Sequence, residues 1–423
     1  MIRTRIHPAW FVAATAFVAL IGSAGFRAAP GALFVPLHHE FGWSTSVMSA
    51  AVSINLVLYG LTAPFAAALM DRFGIRQVTS AALVLIALGS GLTVFMTASW
   101  QLLLSWGLLI GLGTGSMALV FAATVSNRWF IQRRGLVMGV LTAGSATGQL
   151  IFLPIVAFLA ENVGWRTASL VISGAALAVV PLVLLTLGDH PEDRGLRPYG
   201  APDGYVPPER ATGGAARRAV DSLRAATHVR SFWALAAAFA ICGATTNGLV
   251  GIHFIPSAHD HGMSQTTAAG LLAVVGIFDI LGTIGSGYLT DRIDPRYLLV
   301  GYYAFRGIGL MLLPSLLSDV LHPSIVLFVV VYGLDWVATV PPTAALCREI
   351  FGESGTIVFG WVFASHQFGA AGAALAAGIV RDTTGSYTVA WLGGAGLCAV
   401  AAVLSWAVRA PDVKTPSMQP AQM

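Results

Sequence analysis

Apolar residues run through this chain in long blocks, with neither the two-residue alternation of a half-buried strand nor the single stripe of a surface helix. A helix that crosses a bilayer needs about 20 mostly apolar residues. Twelve blocks meet that length: 10–37, 43–70, 77–97, 101–127, 135–160, 166–188, 231–257, 264–290, 297–318, 323–346, 356–379 and 388–409. Six precede the one long polar interval and six follow it. The pattern predicts an all-α integral membrane protein with a first six-helix bundle over 1–188, a linker over 189–230, a second bundle over 231–410 and a tail over 411–423. The first block follows Arg3 and Arg5 and could pass for a cleaved leader. Its counterpart 231–257 lies mid-chain and cannot be cleaved, so the first is expected to be retained.

That counterpart exists because the chain repeats itself. Phe34, Pro36, Gly42, Ser44, Asp71, Arg72 and Arg76 recur as Phe254, Pro256, Gly262, Ser264, Asp291, Arg292 and Arg296, each 220 positions on. Arg128 recurs as Arg348, and after a slip of one residue Gly139, Gly148 and Gly164 recur as Gly360, Gly369 and Gly385. The two bundles are therefore pseudo-symmetric copies of one plan. In an apolar chain that plan belongs to transporters, whose substrate site lies between the repeats.

Composition agrees and adds a direction. With 56% hydrophobic and 10% charged residues and a mean hydropathy of +0.76, the surface could not be hydrated as a soluble domain. If both termini are cytoplasmic, nineteen basic residues lie on that side, in the loops, linker and tail, against only Arg166 and Arg381 on the other. Such a bias sets orientation. It also explains the net charge of +4 without nucleic acid, since the basic residues are scattered over short loops. In the linker, HPEDRGLRPYGAPDGYVPPER reads as irregular, and ARRAVDSLRAATHVRSF as a short amphipathic helix on the membrane surface. The three cysteines all sit in apolar stretches and suggest no disulfide framework.

Two loops carry a signature. AAALMDRFGIR (66–76) and GSGYLTDRIDPR (285–296) resemble the motif after the second helix of each half in the major facilitator superfamily. That resemblance implies a conformational latch built from Asp71, Arg72, Arg76, Asp291, Arg292 and Arg296, closing the cytoplasmic side; a simple structural turn is the alternative. Ala67 and Asp294 stand where the motif has glycines. RWFIQRRGLVMGVLTAGSATG (128–148), YGLDWVATVPPTAAL (332–346) and ASHQFGAAGAALAAGIVRD (364–382) resemble the bacterial monocarboxylate transporter-like branch. Mammalian-type monocarboxylate carriers place a lysine late in the first helix, where this chain has Gly31 and, one turn earlier, Arg27. They also place an acid and an arginine four residues apart in the eighth; Asp279 matches the acid, but Thr283 replaces the arginine. That departure counts against lactate-like substrates.

Ionisable groups inside a membrane are costly and mark pathways or buried pairs. Arg27, Asp279, Arg306, Asp335 and His366 all fall within spans. Asp279, Arg306 and Asp335 lie 12, 10 and 13 residues from Asp291, Arg296 and Arg348, which at 1.5 Å per residue puts all three about 15–20 Å deep. They are expected to form one buried ion network or proton-coupling group. Their repeat counterparts are Tyr59, Ile86 and Gly115, and that of Arg27 is Asn247, so the charge is not part of the duplicated scaffold. Arg27, Asn247, Tyr59, His366, Trp336 and Gln149 are the candidate substrate contacts, with His253 and Asn55 behind them. A packing role is the plainer alternative for the uncharged ones.

No GxxxxGK[ST] loop, metal-spaced Cys/His cluster or nucleophile–base–acid set is present, which argues against ATP drive, bound cofactors and enzyme chemistry. The His pairs at 38–39 and 259–261 fall in outer loops, and the glycines of 107–117 suit close helix packing. The sequence thus points to a monomeric secondary transporter in a bacterial inner membrane. The expected cargo is a small organic anion such as a monocarboxylate, with a proton. An exchanger or exporter of a larger or neutral metabolite, or a transporter-like solute receptor, is the alternative.

Overall fold

The computed structural model describes residues 7–117, 119–206, 214–290 and 292–408. Among these, twelve helices are long and apolar enough to cross a membrane. They are α1 (Pro8–Phe41), α2 (Thr45–Phe73), α3 (Ile75–Thr93), α4 (Ser99–Trp129), α5 (Arg134–Asn162), α6 (Trp165–Thr186), α7 (Arg230–Asp260), α8 (Gln265–Thr290), α9 (Pro295–Leu316), α10 (Pro323–Phe351), α11 (Gly355–Thr384) and α12 (Thr388–Ala407). A separate helix covers Ala215–Ala226 in the linker, and Trp361 Nε1 donates to its Ala219 carbonyl at 2.8 Å. His38, His39 and His259 end helices α1 and α7 rather than sitting in loops, because Gly42 and Gly262 stop those helices with φ of +67° and +89°.

The packing repeats as the sequence does. In the first half α1 packs on α5, α2 on α4 and α3 on α6; in the second α7 packs on α11, α8 on α10 and α9 on α12. Across the halves α2 lies against α11 and α5 against α8, which the pseudo-two-fold interchanges. The tightest crossing joins α7 to α11. A Cβ on Gly243 would collide with the His366 carbonyl, and one on Gly369 with that of Ala240. Only glycine lets these backbones touch.

Four helices are interrupted near mid-depth. In α1 the regular helix stops at Ala28 and restarts at Pro30, which has no N–H to return to Phe26; Ala29 N bonds that carbonyl instead at 2.9 Å. The matching stretch of α7, Ala244–Val250, winds into a wider π-type turn. Helix α4 is interrupted around Met117 and α10 over 336–339, again at matching places. Pro341 and Pro342 explain the second of these, since neither can donate to a carbonyl one turn back.

Candidate functional site

The interrupted helices surround a cavity of about 800 Å3 between the halves. Its walls come from α1, α2, α4 and α5 on one side and their repeat partners α7, α8, α10 and α11 on the other. Broken helices at corresponding places in two repeats are where transporters build substrate sites, because freed backbone groups and polar side chains meet there out of reach of lipid.

Arg27 reaches this cavity from the break in α1. Its Nη1 donates to the Tyr59 hydroxyl at 3.2 Å, and its guanidinium lies 4.9 Å from the centre of the Tyr59 ring. No carboxylate pairs with it among the described residues. Across the cavity, Asp279 projects from α8. Its Oδ1 accepts from Thr283 Oγ1 at 3.1 Å and from the Val337 N–H, released by the α10 break, at 3.0 Å. Arg27 and Tyr59 are the repeat counterparts of Asn247 and Asp279. All four line the cavity, with Gln149, Trp336 and His366. His366 stacks on Phe363 at 5.8 Å with the rings 4° from parallel.

Arg306 and Asp335 lie elsewhere. Arg306 Nε donates to Asp335 Oδ2 at 2.6 Å, Nη2 to the Asp335 carbonyl at 2.7 Å and Nη1 to Cys242 Sγ at 3.0 Å. Neither residue lines the cavity, and the arginine is 1% exposed. The three groups expected to share one network thus divide into a closed pair, which plugs the α10 break, and Asp279 alone at the cavity wall. The arginine that helix α8 lacks at Thr283 is not supplied by Arg306, which already has its partner. His253 is also outside, bonded through Nε2 to the Ala374 carbonyl at 2.8 Å. Asn55 lines the cavity and also donates to the Trp106 carbonyl at 2.8 Å.

Sequence reasoning missed Gln367, Phe363 and Thr246, which line the same cavity. Gln367 had a signal, a long amide beside His366 in a helix otherwise rich in small residues. Phe363 and Thr246 had none among so many apolar and small neighbours.

The signature loops lie at the end of the molecule where the linker attaches. Asp71 pairs with Arg128 at 2.5 Å, and Asp189 Oδ1 caps the start of α3 by accepting from Arg76 N at 2.9 Å. In the second copy Asp294 takes that capping role within its own loop, bonding Arg296 N at 2.9 Å. The Arg296 side chain donates to it as well and holds its carboxyl below the usual value. Arg72 lies over its neighbour Phe73 in α2, and Arg292, in the turn after α8, lies over Tyr288 of that helix. Asp291 lies outside the described residues. None of these contacts crosses between the halves. The cavity continues toward this end, past Val140 and Gly139 of α5 and Ile284 of α8.

A family model described as Major Facilitator Superfamily matches residues 15–370. Monocarboxylate transporter 13 of Rattus norvegicus is 29% identical over 402 residues, covering 93% of this chain and 88% of that protein. The uncharacterised MFS-type transporter YcxA of Bacillus subtilis (strain 168) is 26% identical over 403 residues, 91% of each chain. Among solved structures, a bacterial homolog to the human lysosomal transporter Spinster, in an inward-facing and occupied conformation, has a TM-score of 0.70. At 14% identity over 95% of this chain and 97% of that one, it supports the fold.

Proposed function

This chain belongs to the major facilitator superfamily and is a multi-pass transporter rather than an enzyme, and from that premise we propose that it carries a small organic anion together with a proton. The anion binds Arg27 and the proton binds Asp279. The carrying observation is the cavity's charge pattern among the described residues: one arginine without a carboxylate partner on the first half, one aspartate on the second.

Charge balance makes this pair a coupling device. Moving a net charge through the low-dielectric middle of a membrane is costly, so a carrier reorients readily only when its site is neutral. Empty, Arg27 and Asp279 cancel. With a carboxylate on Arg27 and Asp279 ionised, the site holds one negative charge and is trapped. Protonating Asp279 restores neutrality. The empty and doubly loaded forms cross; the singly loaded forms do not. Asp335 and Arg306 neutralise each other in every state and contribute nothing to the count.

The two halves rock about this site by alternating access in a single chain. The count of nineteen basic residues at the linker end against two at the other supports a cytoplasmic linker end, with both termini on the cytoplasmic side of a bacterial inner membrane. Relatives named monocarboxylate transporters favour a carboxylate cargo. Phe26, Trp336, Phe359 and Phe363 line a cavity of about 800 Å3, which favours an acid with an apolar body over the shortest ones.

Uptake of a panel of radiolabelled monocarboxylates into proteoliposomes, with and without an imposed pH gradient, tests the reading. Arg27→Gln should abolish binding of the transported acid while the protein stays folded and inserted. Asp279→Asn should lose pH-driven accumulation but keep exchange, because its loaded form is neutral and its empty form carries an uncompensated Arg27. Parent affinity in the first variant, or accumulation driven by pH alone in the second, overturns the assignment.

A further inference from the structure

The hydrogen bonds that join the two halves through ionisable groups all lie, among the described residues, at the end opposite the linker. At the end of α11, Asp382 accepts from the first two backbone N–H groups of α2, Thr45 N on Oδ1 at 3.0 Å and Ser46 N on Oδ2 at 2.7 Å. At the end of α5, Glu161 Oε2 accepts from Thr266 N at 3.0 Å and Thr266 Oγ1 at 2.6 Å, at the start of α8. These are one contact made twice. Thr266 is the repeat counterpart of Ser46 at 220 positions, and Asp382 lies 221 positions from Glu161, the same slipped offset that relates Gly164 to Gly385. The serine preceding each helix occupies the next donor: Ser44 Oγ accepts from Val47 N at 3.4 Å and Ser264 Oγ from Thr267 N at 3.1 Å. Each helix therefore starts with one cap from its own half and one from the other half.

We propose that Glu161 and Asp382 are a matched pair of gating residues, which hold this end shut by capping helix N-termini across the bundle interface. The first N–H groups of a helix have no partner within it and carry the positive end of the helix dipole, so a carboxylate there makes charge-assisted bonds. When this end opens, α2 parts from α11 and α5 from α8. Both carboxylates then leave their helices, and the donors turn to water. The contact exists only in the closed arrangement and so biases the equilibrium toward it. Two other carboxylates at this end act differently: Glu40 bonds Arg166 and Trp165, and Asp260 bonds Arg381, each within one half. They brace each bundle without joining the two.

Each exposed cap should shift the ratio of closed to open by roughly threefold to tenfold. The two sit on different helix pairs and should combine independently. The test is pulsed electron–electron spin resonance on the full chain in nanodiscs. One label pair, at Asn162 and Thr383, reports this end, and a second, at Gln132 and Ile293, reports the linker end. The native cysteines Cys242, Cys347 and Cys398 are buried, but Cys242 also lines the cavity, so all three are replaced by serine in the parent and in every variant. Glu161→Gln with Asp382→Asn should lengthen the first distance and shorten the second in a common fraction of molecules, with each single variant intermediate. Glu40→Gln makes the same charge change within one half and should move neither. An unchanged distribution in the double variant overturns the proposal. So does broadening at both ends, which marks loosened packing, or an equal shift in Glu40→Gln, which marks a general surface-charge effect. The distances need no substrate, so they stand apart from the assignment of Arg27 and Asp279.

Discussion

Replacing Arg306 and Asp335 together should hurt this protein less than replacing the arginine alone. Arg306 is fully enclosed and makes three short contacts, to the Asp335 carboxylate, the Asp335 carbonyl and Cys242 Sγ. Arg306→Met removes all three and strands a buried carboxylate, a loss of about 3–5 kcal/mol. In the double variant Arg306→Met with Asp335→Leu no charge is stranded. What remains is the Asp335 backbone carbonyl at the α10 break without its donor, worth about 1–3 kcal/mol. The pair is not ideal to begin with, since Asp335 Oδ1 is buried without a partner, which further favours its apolar replacement. Thermal unfolding in detergent should place the single variant roughly 10 °C below the parent if the second bundle melts as a unit, with at least half of that loss recovered in the double variant. The double variant should also still accumulate substrate under a pH gradient, because a closed pair takes no part in the charge count of the cavity. If it is stable yet exchanges without accumulating, Asp335 and Arg306 are the coupling site and the division of the three charges is wrong.

Two further outcomes follow from packing and from the linker end. Gly243→Ala puts a methyl group against the His366 carbonyl, so α7 and α11 must part; we expect a loss of about 1–3 kcal/mol and reduced transport, read by thermal unfolding and uptake. Parent stability would show that the crossing is looser than it stands here. Asp71→Asn removes the partner of Arg128 at a half-exposed site and should change stability by less than about 1 kcal/mol. If Asp71 belongs to a latch on the linker side, cysteine labelling from that side should nevertheless quicken, and unchanged labelling with lost transport ends that reading.

The spans and the duplication were legible because each is written in many residues at once. Twelve apolar blocks cannot be hidden, and pairs such as Asp71 and Asp291 or Gly42 and Gly262 share one offset. The helix interruptions were not anticipated: Pro30 and Pro341 were signals that went unread, and the wide turn of Ala244–Val250 has no proline and shows only in the folded chain. Depth along a helix could be counted, so Asp279, Arg306 and Asp335 were correctly expected inside the spans. Azimuth could not be counted, and it decides that Asp279 faces the cavity while Arg306 turns into its own bundle. Glu161 and Asp382 escaped notice because they are different residue types, the offset between them is slipped by one, and both look like ordinary loop-end acids.

The division between what is duplicated and what is not separates motion from chemistry. The helix pairings, the four interruptions and the carboxylate caps at Ser46 and Thr266 all obey the repeat, as a rocking mechanism requires: opening either end must be the same kind of movement seen from the other half. The cavity breaks the repeat at two positions, where Arg27 faces the place of Asn247 and Asp279 the place of Tyr59. With an arginine at 247 as well, Asp279 would offset only one of the two positive charges, and the empty site could not return without cargo. With an aspartate at 59 as well, the empty site would carry one negative charge and Arg27 would have a carboxylate of its own half to compete with the anion. One cation and one acid, each supplied by a different half, is the smallest departure from symmetry that leaves the empty and the doubly loaded carrier neutral.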